Sequence, residues 1–287
     1  MIIRLLLLMS FLFIPFVATS GEETDAYNAY IDGPWGQIHV YVDGAALKGS
    51  PTIVFLHRMP WNGTQYRYVQ PVLAENGVRS IAVDLPGYGM SKGPNYVPDI
   101  YEYADVLLPV LAHFRLDKVH LAGDHTGASI VVAFAEKYPE RLHRLIVHGP
   151  PIFDAETLAY LKAVRAYPEL KEDGSHLMEK WRGLRRTFDG KSTLAEQQQS
   201  FLQFFDAGPD EWFAHEAIYN YDLVPVFQKL EVPVLVITNP GDSLHDAALL
   251  VKSLRPDFDF VALDIYGTHA IFDAAELWAE GIADYIK

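Results

Sequence analysis

A histidine stands where a sharp turn would present it for chemistry. Residues 119–128 run from the apolar Val119-His120-Leu121-Ala122 through Gly123-Asp124-His125-Thr126-Gly127 into Ala128. That pattern predicts a strand, a tight turn and a helix. A glycine two residues to either side of His125 suits strained backbone and lets the helix pack close, so the central side chain is pushed out at the top of a sheet. The amide of Thr126 would then point into the site from a helix N-terminus, where partial positive charge favours an oxyanion. Serine, cysteine or aspartate is the usual occupant of such a turn. Imidazole cannot deprotonate and attack as serine does, but in its neutral form it is a competent nucleophile and base. Asp124, one residue early, is expected to point away from the site.

Other candidate groups fall at the ends of apolar runs. His57, His125, His148 and His269 all lie near such ends, with Asp242 close by in sequence to another. Imidazoles with a carboxylate can hold zinc. No short spacing of the His-x-x-x-His kind appears, however, so neither a metal nor another cofactor is expected.

These residues need a frame to hold them. Gln37 to Val42 alternates after the turn-like Gly33-Pro34-Trp35-Gly36 and predicts an antiparallel hairpin at a sheet edge. Thr52–Leu56, Ser80–Val83, Val119–Ala122, Leu145–Val147, Val234–Thr238 and Phe258–Leu263 are short apolar runs, as in a sheet covered on both faces. Helices are expected over Tyr68–Asn76, Ile100–Phe114, Ala128–Lys137, Ala247–Leu254 and Leu277–Ile286, giving an α/β fold with a doubly wound, mostly parallel sheet. Residues 154–230 carry no strand-like run and predict a helical cap inserted over the C-terminal strand ends, where such folds place their sites. The expected organisation is therefore core over 21–153 and 231–287, with the cap between. Of the cap aromatics Phe201, Phe204, Phe205, Trp212, Phe213, Tyr219 and Tyr221, most are expected to serve packing.

The chain has 287 residues, no cysteine and a formal net charge of -14. That charge disfavours nucleic acid and anionic membrane surfaces, both of which call for clustered Lys and Arg. Arg4 precedes the 13-residue apolar run Leu5–Val17, followed by Ala18-Thr19-Ser20. The run is shorter than the ~20 residues a spanning helix needs, so residues 1–20 read as a signal peptide for a periplasmic or secreted protein, with no stable membrane insertion after cleavage. A small-molecule substrate is the expected partner.

Several motifs occur in order: Phe55-Leu56-His57-Arg58-Met59-Pro60-Trp61, Asp84-Leu85-Pro86-Gly87-Tyr88-Gly89, the turn at His125, Asn239-Pro240-Gly241-Asp242 and Gly267-Thr268-His269. Together they resemble the α/β-hydrolase superfamily, in its cap-bearing branch of esterases, lactonases, dehalogenases and epoxide hydrolases, and within it a subgroup whose nucleophile elbow reads Gly-x-His-Thr-Gly. The resemblance runs from about Gln37 to Ile286. It implies His269 as catalytic base, Asp242 as the acid that orients it, and the amides of Met59 and Thr126 as oxyanion donors. Asp154 is the alternative acid. Trp61, Arg58 and His148 are expected around the substrate.

Two departures stand out. Arg58 replaces the glycine usual after the loop histidine. It would either bring a guanidinium to a carboxylate-bearing substrate or pair with a carboxylate of the fold. His125 replaces the nucleophile, and three roles are open to it. It could form an acyl-imidazole, act with His269 as base toward water, or mark a site that only binds. The leading expectation is a hydrolase for an ester, lactone or related acyl bond. A non-catalytic ligand binder, or a lyase or cofactor-free oxygenase using His269 as base, is the alternative.

Overall fold

The computed structural model describes residues 25–47, 49–164, 167–187, 193–266 and 269–287. The expected signal segment, and Gly267 and Thr268 before His269, lie outside the described residues. Among the described residues no helix is long and apolar enough to cross a membrane.

The strands are β1 (Tyr27–Gly33), β2 (Gly36–Asp43), β3 (Thr52–Leu56), β4 (Arg79–Val83), β5 (Val119–Asp124), β6 (Leu142–His148), β7 (Val234–Thr238) and β8 (Asp259–Ala262). The helices up to β6 are α1 (Val69–Glu75), α2 (Ile100–Asp105), α3 (Leu107–His113) and α4 (Thr126–Lys137). Between β6 and β7 come α5 (Ala155–Ala163), α6 (Ser175–Thr187), α7 (Leu194–Ala207), α8 (Phe213–Tyr219) and α9 (Leu223–Lys229). After β7 come α10 (His245–Leu254), α11 (Ala270–Asp273) and α12 (Ala275–Ile286).

The strands form one sheet in the order β1-β2-β4-β3-β5-β6-β7-β8. β1 and β2 form the antiparallel hairpin at its edge, β2 pairs antiparallel with β4, and all later pairings are parallel. Every residue of β3, β5 and β7 is buried, as expected of strands covered on both faces. One apolar layer packs α4, α2 and α3 against the sheet. The other packs α1 and α12, with Trp278 beside Phe55 and Tyr66. The helix expected over Ile100–Phe114 is two helices that meet at Val106.

The helical insertion divides by what it covers. α8 and α9 lay Ala217, Ile218, Leu223 and Phe227 into the core layer that holds α4, so they extend the core. α6 and α7 supply side chains to the cavity described next.

Candidate active site

The turn at His125 is set by close packing. His125 has φ 50° and ψ -112°, in the left-handed half of backbone space that a non-glycine residue enters only under constraint. Its amide donates to the carbonyl of His148 at 2.8 Å. A Cβ on Gly123 would fall 2.3 Å from the Gly127 carbonyl oxygen, and one on Gly127 would fall 2.2 Å from that of Leu56. Both positions therefore exclude any larger residue. A third glycine went unread in the sequence. A Cβ on Gly149 would sit 2.7 Å from His125 Cδ2 and 2.8 Å from its Nε2, so the imidazole occupies space that only glycine leaves.

The ring reaches Asp242, with His125 Nε2 lying 2.8 Å from Oδ2 and 3.0 Å from Oδ1. Asp242 is placed by the turn after β7, where its amide donates to the Asn239 carbonyl and its Oδ1 accepts from the Leu244 amide at 2.7 Å. Burial raises the Asp242 pKa, but His125, His148 and Arg58 outweigh it and hold the carboxyl below the ordinary range. Asp242 is thus an acceptor, and His125 Nε2 carries the hydrogen between them. Nδ1 has no hydrogen-bond partner among the described residues.

His269 is engaged differently from the expectation. Arg58 donates from a guanidinium nitrogen to His269 Nδ1 at 3.1 Å. Arginine has no acceptor to offer, so Nδ1 holds a lone pair and the proton of the neutral ring is on Nε2. Burial first, and the Arg58 cation second, push the His269 pKa from its ordinary 6.5 down to about 3. The expected bond from His269 to Asp242 is replaced by one from His125, because Arg58 already occupies the nitrogen that would have made it.

Arg58 itself is buried and pairs with a carboxylate of the fold, the second of its two expected roles. Its Nε and one terminal nitrogen donate to Asp124, a fork-to-carboxylate pair. Arg58 is also one of the residues lining the cavity. Gln65 completes the arrangement. Its amide donates to Asp124 at 2.7 Å, and its carbonyl accepts the Arg58 amide at 3.0 Å. Burial raises the Asp124 pKa, but Arg58, His125 and His148 override it and keep the carboxylate ionised. Asp124 does not line the cavity. His148, expected near substrate, is fully buried behind the wall, 3.2 Å from Asp124 and 3.6 Å from Asp242. Asp154, the alternative acid, caps α5 by accepting from the Thr157 amide and is exposed, away from the site.

Both nitrogens of His57 are committed within the fold. Nδ1 bonds the Arg58 carbonyl and Nε2 accepts from the Leu85 amide, each at 2.9 Å. Among the described residues no group of three or more His, Cys, Asp or Glu is arranged to hold a metal ion. Of the two expected oxyanion amides, that of Met59 donates to the Thr126 hydroxyl at 2.7 Å. That of Thr126 opens α4, where the first N–H groups have no acceptor within the helix.

A cavity of about 420 Å³ joins these groups. The core lines it with Arg58, Met59, Trp61, His125 and His269, and the insertion adds Lys180 and Leu184 of α6 and Ser200 and Phe204 of α7. Of the insertion's described aromatics only Phe204 reaches it. Tyr167 stacks on Phe204, while Phe201 and Phe205 pack edge-on.

The family described as alpha/beta hydrolase fold matches residues 51–264. Among curated proteins the chain is similar to 2-(acetamidomethylene)succinate hydrolase of Mesorhizobium japonicum, 27% identical over 227 residues, covering 75% of this chain and 81% of that one. It is similar also to 2-hydroxy-6-oxononadienedioate/2-hydroxy-6-oxononatrienedioate hydrolase of Paraburkholderia phymatum, 26% identical over 276 residues, covering 87% and 91%. Among solved structures, the enol-lactonase from Burkholderia xenovorans LB400 superposes with a TM-score of 0.76 over 90% of this chain and 99% of that one, at 17% identity.

Proposed function

The chain belongs to the alpha/beta hydrolase fold family, and from that premise we propose that it hydrolyses an ester, lactone or related acyl bond of a small molecule by direct attack of water, without a covalent acyl-enzyme, with His125 as base. The observation that carries this is the His125–Asp242 pair at 2.8 Å, in a ring that lines the cavity and keeps Nδ1 unpartnered among the described residues. A carboxylate that fixes the tautomer and stabilises the imidazolium is what a histidine base requires.

In the proposed reaction Nδ1 takes a proton from water as its oxygen bonds to the acyl carbon. The carbonyl oxygen becomes an oxyanion, facing the Thr126 amide at the start of α4. Collapse breaks the bond to the leaving oxygen, which receives the proton back from His125. The products are a carboxylic acid and an alcohol, or one hydroxy acid from a lactone. His269, whose Nδ1 accepts from Arg58, is suited to donate from Nε2 and not to act as the base. The amide of Met59 can join the oxyanion only by leaving the Thr126 hydroxyl. α6 and α7 act as a cap over the cavity, and the apolar segment at 5–17 supports export.

The substrates named for the two curated relatives are a succinate and dienedioates or trienedioates, all dicarboxylates. Esters, lactones and enol compounds that carry carboxylates are therefore the first panel to assay. Wild type should turn over at least one member. His125→Ala and Asp242→Asn should each lose on the order of 10²–10⁴-fold in kcat/KM, with no acyl-enzyme burst. Unchanged turnover in His125→Ala would overturn the assignment.

A further inference from the structure

Lys180 has a position that the proposed hydrolysis does not use. It belongs to α6 and lines the same cavity as the core residues Arg58, His125 and His269. Its ammonium nitrogen lies 3.1 Å from the centroid of the Phe204 ring. Among the described residues no carboxylate lies within ion-pairing distance of it. The nearest acid that influences it is Glu211, itself largely buried, whose pKa burial raises and Lys180 lowers. Burial in turn lowers the Lys180 pKa, with Glu211 opposing.

Among the described residues the cavity wall holds no Asp or Glu. Its other cation, Arg58, is already matched by the two oxygens of Asp124. Among the described residues Lys180 is therefore the cavity-lining cation without a carboxylate in contact, Glu211 acting on it only from a distance. A half-buried ammonium over an aromatic face is costly to leave without a counter-ion, and a ring face compensates it only in part. The anion that would repay that cost has to come from the ligand.

We propose that Lys180 binds a carboxylate of the substrate remote from the bond being cleaved, and so selects acyl compounds bearing a second, anionic end. This rests on the hydrolase reading for what is cleaved but not for what is bound. The protein's net charge of -14 does not forbid an anionic ligand. Exposed charges more than about 8–10 Å away are screened at physiological salt, whereas Lys180 would meet the carboxylate in contact. Phe204 and Leu184 beside it would pack the carbon chain between the two ends.

The test uses the monomethyl and dimethyl esters of succinate and adipate on the full chain, with Lys180→Met and Lys180→Arg. Wild type should prefer the monoanionic half-ester by kcat/KM. Lys180→Met should cut that preference by about tenfold or more, seen chiefly in KM, and Lys180→Arg should restore most of it. An unchanged preference in Lys180→Met overturns the proposal. Calorimetric binding of succinate and adipate separates this from failure of the hydrolase reading. His125→Ala should still bind them, and Lys180→Met should bind about tenfold more weakly. If wild type binds neither diacid, or Lys180→Met binds as wild type does, the carboxylate site is refuted whatever the catalytic outcome.

Discussion

At the scale of single residues, the site depends on a histidine whose ring is located by contacts at one edge. Asp242 holds its Nε2, and the missing side chain of Gly149 leaves room for that same edge. Gly149→Ala should therefore displace the imidazole and crowd Asp242 Oδ2, which the new Cβ would approach to 3.3 Å. Gly149 also has φ +55°, so the alanine is strained whatever the ring does. A shift near 1 Å costs about 10²-fold in rate. Steady-state kinetics should show a loss of that order in kcat, beside a fall in melting temperature of a few degrees. Retained kcat would mean that the ring is not held at Gly149. The sequence made His125, Asp242 and His269 legible as members of one site, because turn glycines and strand ends mark such positions. It did not make their pairing legible. Which of two histidines meets one carboxylate depends on where the Arg58 guanidinium goes, and that is settled by Asp124 and Gln65, whose roles are visible only when β3, β5 and the turn after β3 are folded together.

At the scale of elements, the parallel sheet was legible because β3, β5 and β7 are unbroken apolar runs, and the hairpin because Gln37–Val42 alternates. Less legible was the division of the insertion. α8 and α9 are short and apolar on the face that meets α4, so sequence alone groups them with α6 and α7. The structure ties α7 to the core by polar contacts. Gln203 donates to Asn62 and Thr64, and Gln199 donates to Thr64, over 3.2–3.3 Å. These bonds anchor the cavity wall to the loop that carries Arg58. Each is worth about 0.5–1.5 kcal/mol, so Gln203→Leu should loosen α7, raise KM by about threefold to tenfold and speed limited proteolysis between α6 and α7. Unchanged KM and proteolysis would show that apolar packing alone holds the helix.

At the scale of the whole molecule, buried neutral histidines govern the response to acid. Burial is the leading cause in each case. It pushes His57 down, His120 from 6.5 to about 4, and His269 to about 3. The unfolded chain protonates all three below about pH 6.5, while the native state does not, so their stabilisation is complete above that pH and declines below it. Asp124 and Asp242, held below 3.8 when folded, add a second loss as pH falls past that value. Asp273, raised to about 6 by burial and Glu196, acts in the opposite sense, as does Glu211. Near pH 5 unfolding takes up protons at the histidines and releases them at carboxyls such as Asp273 and Glu211, with His120 and His269 together outweighing Asp273. Melting temperature should therefore drop steadily from pH 7 to pH 4, and replacing His120 with Gln should flatten the slope. A melting temperature constant over that interval would contradict the buried neutral state.

The bond from Arg58 to His269 has a consequence for how such a site could arise or be converted. A return to serine at position 125 would leave Asp242 without its partner, and His269 would still have its accepting nitrogen turned to the guanidinium, unable to pass a proton toward the carboxylate. Arg58→Gly alone would strand Asp124 as a buried charge. Each single step is thus a loss, and only the combined change offers a serine, histidine and aspartate in working order. The two unusual residues are epistatic. Esterase activity in Arg58→Gly/His125→Ser/Asp124→Asn above that of every contained single variant would be the mark of this coupling.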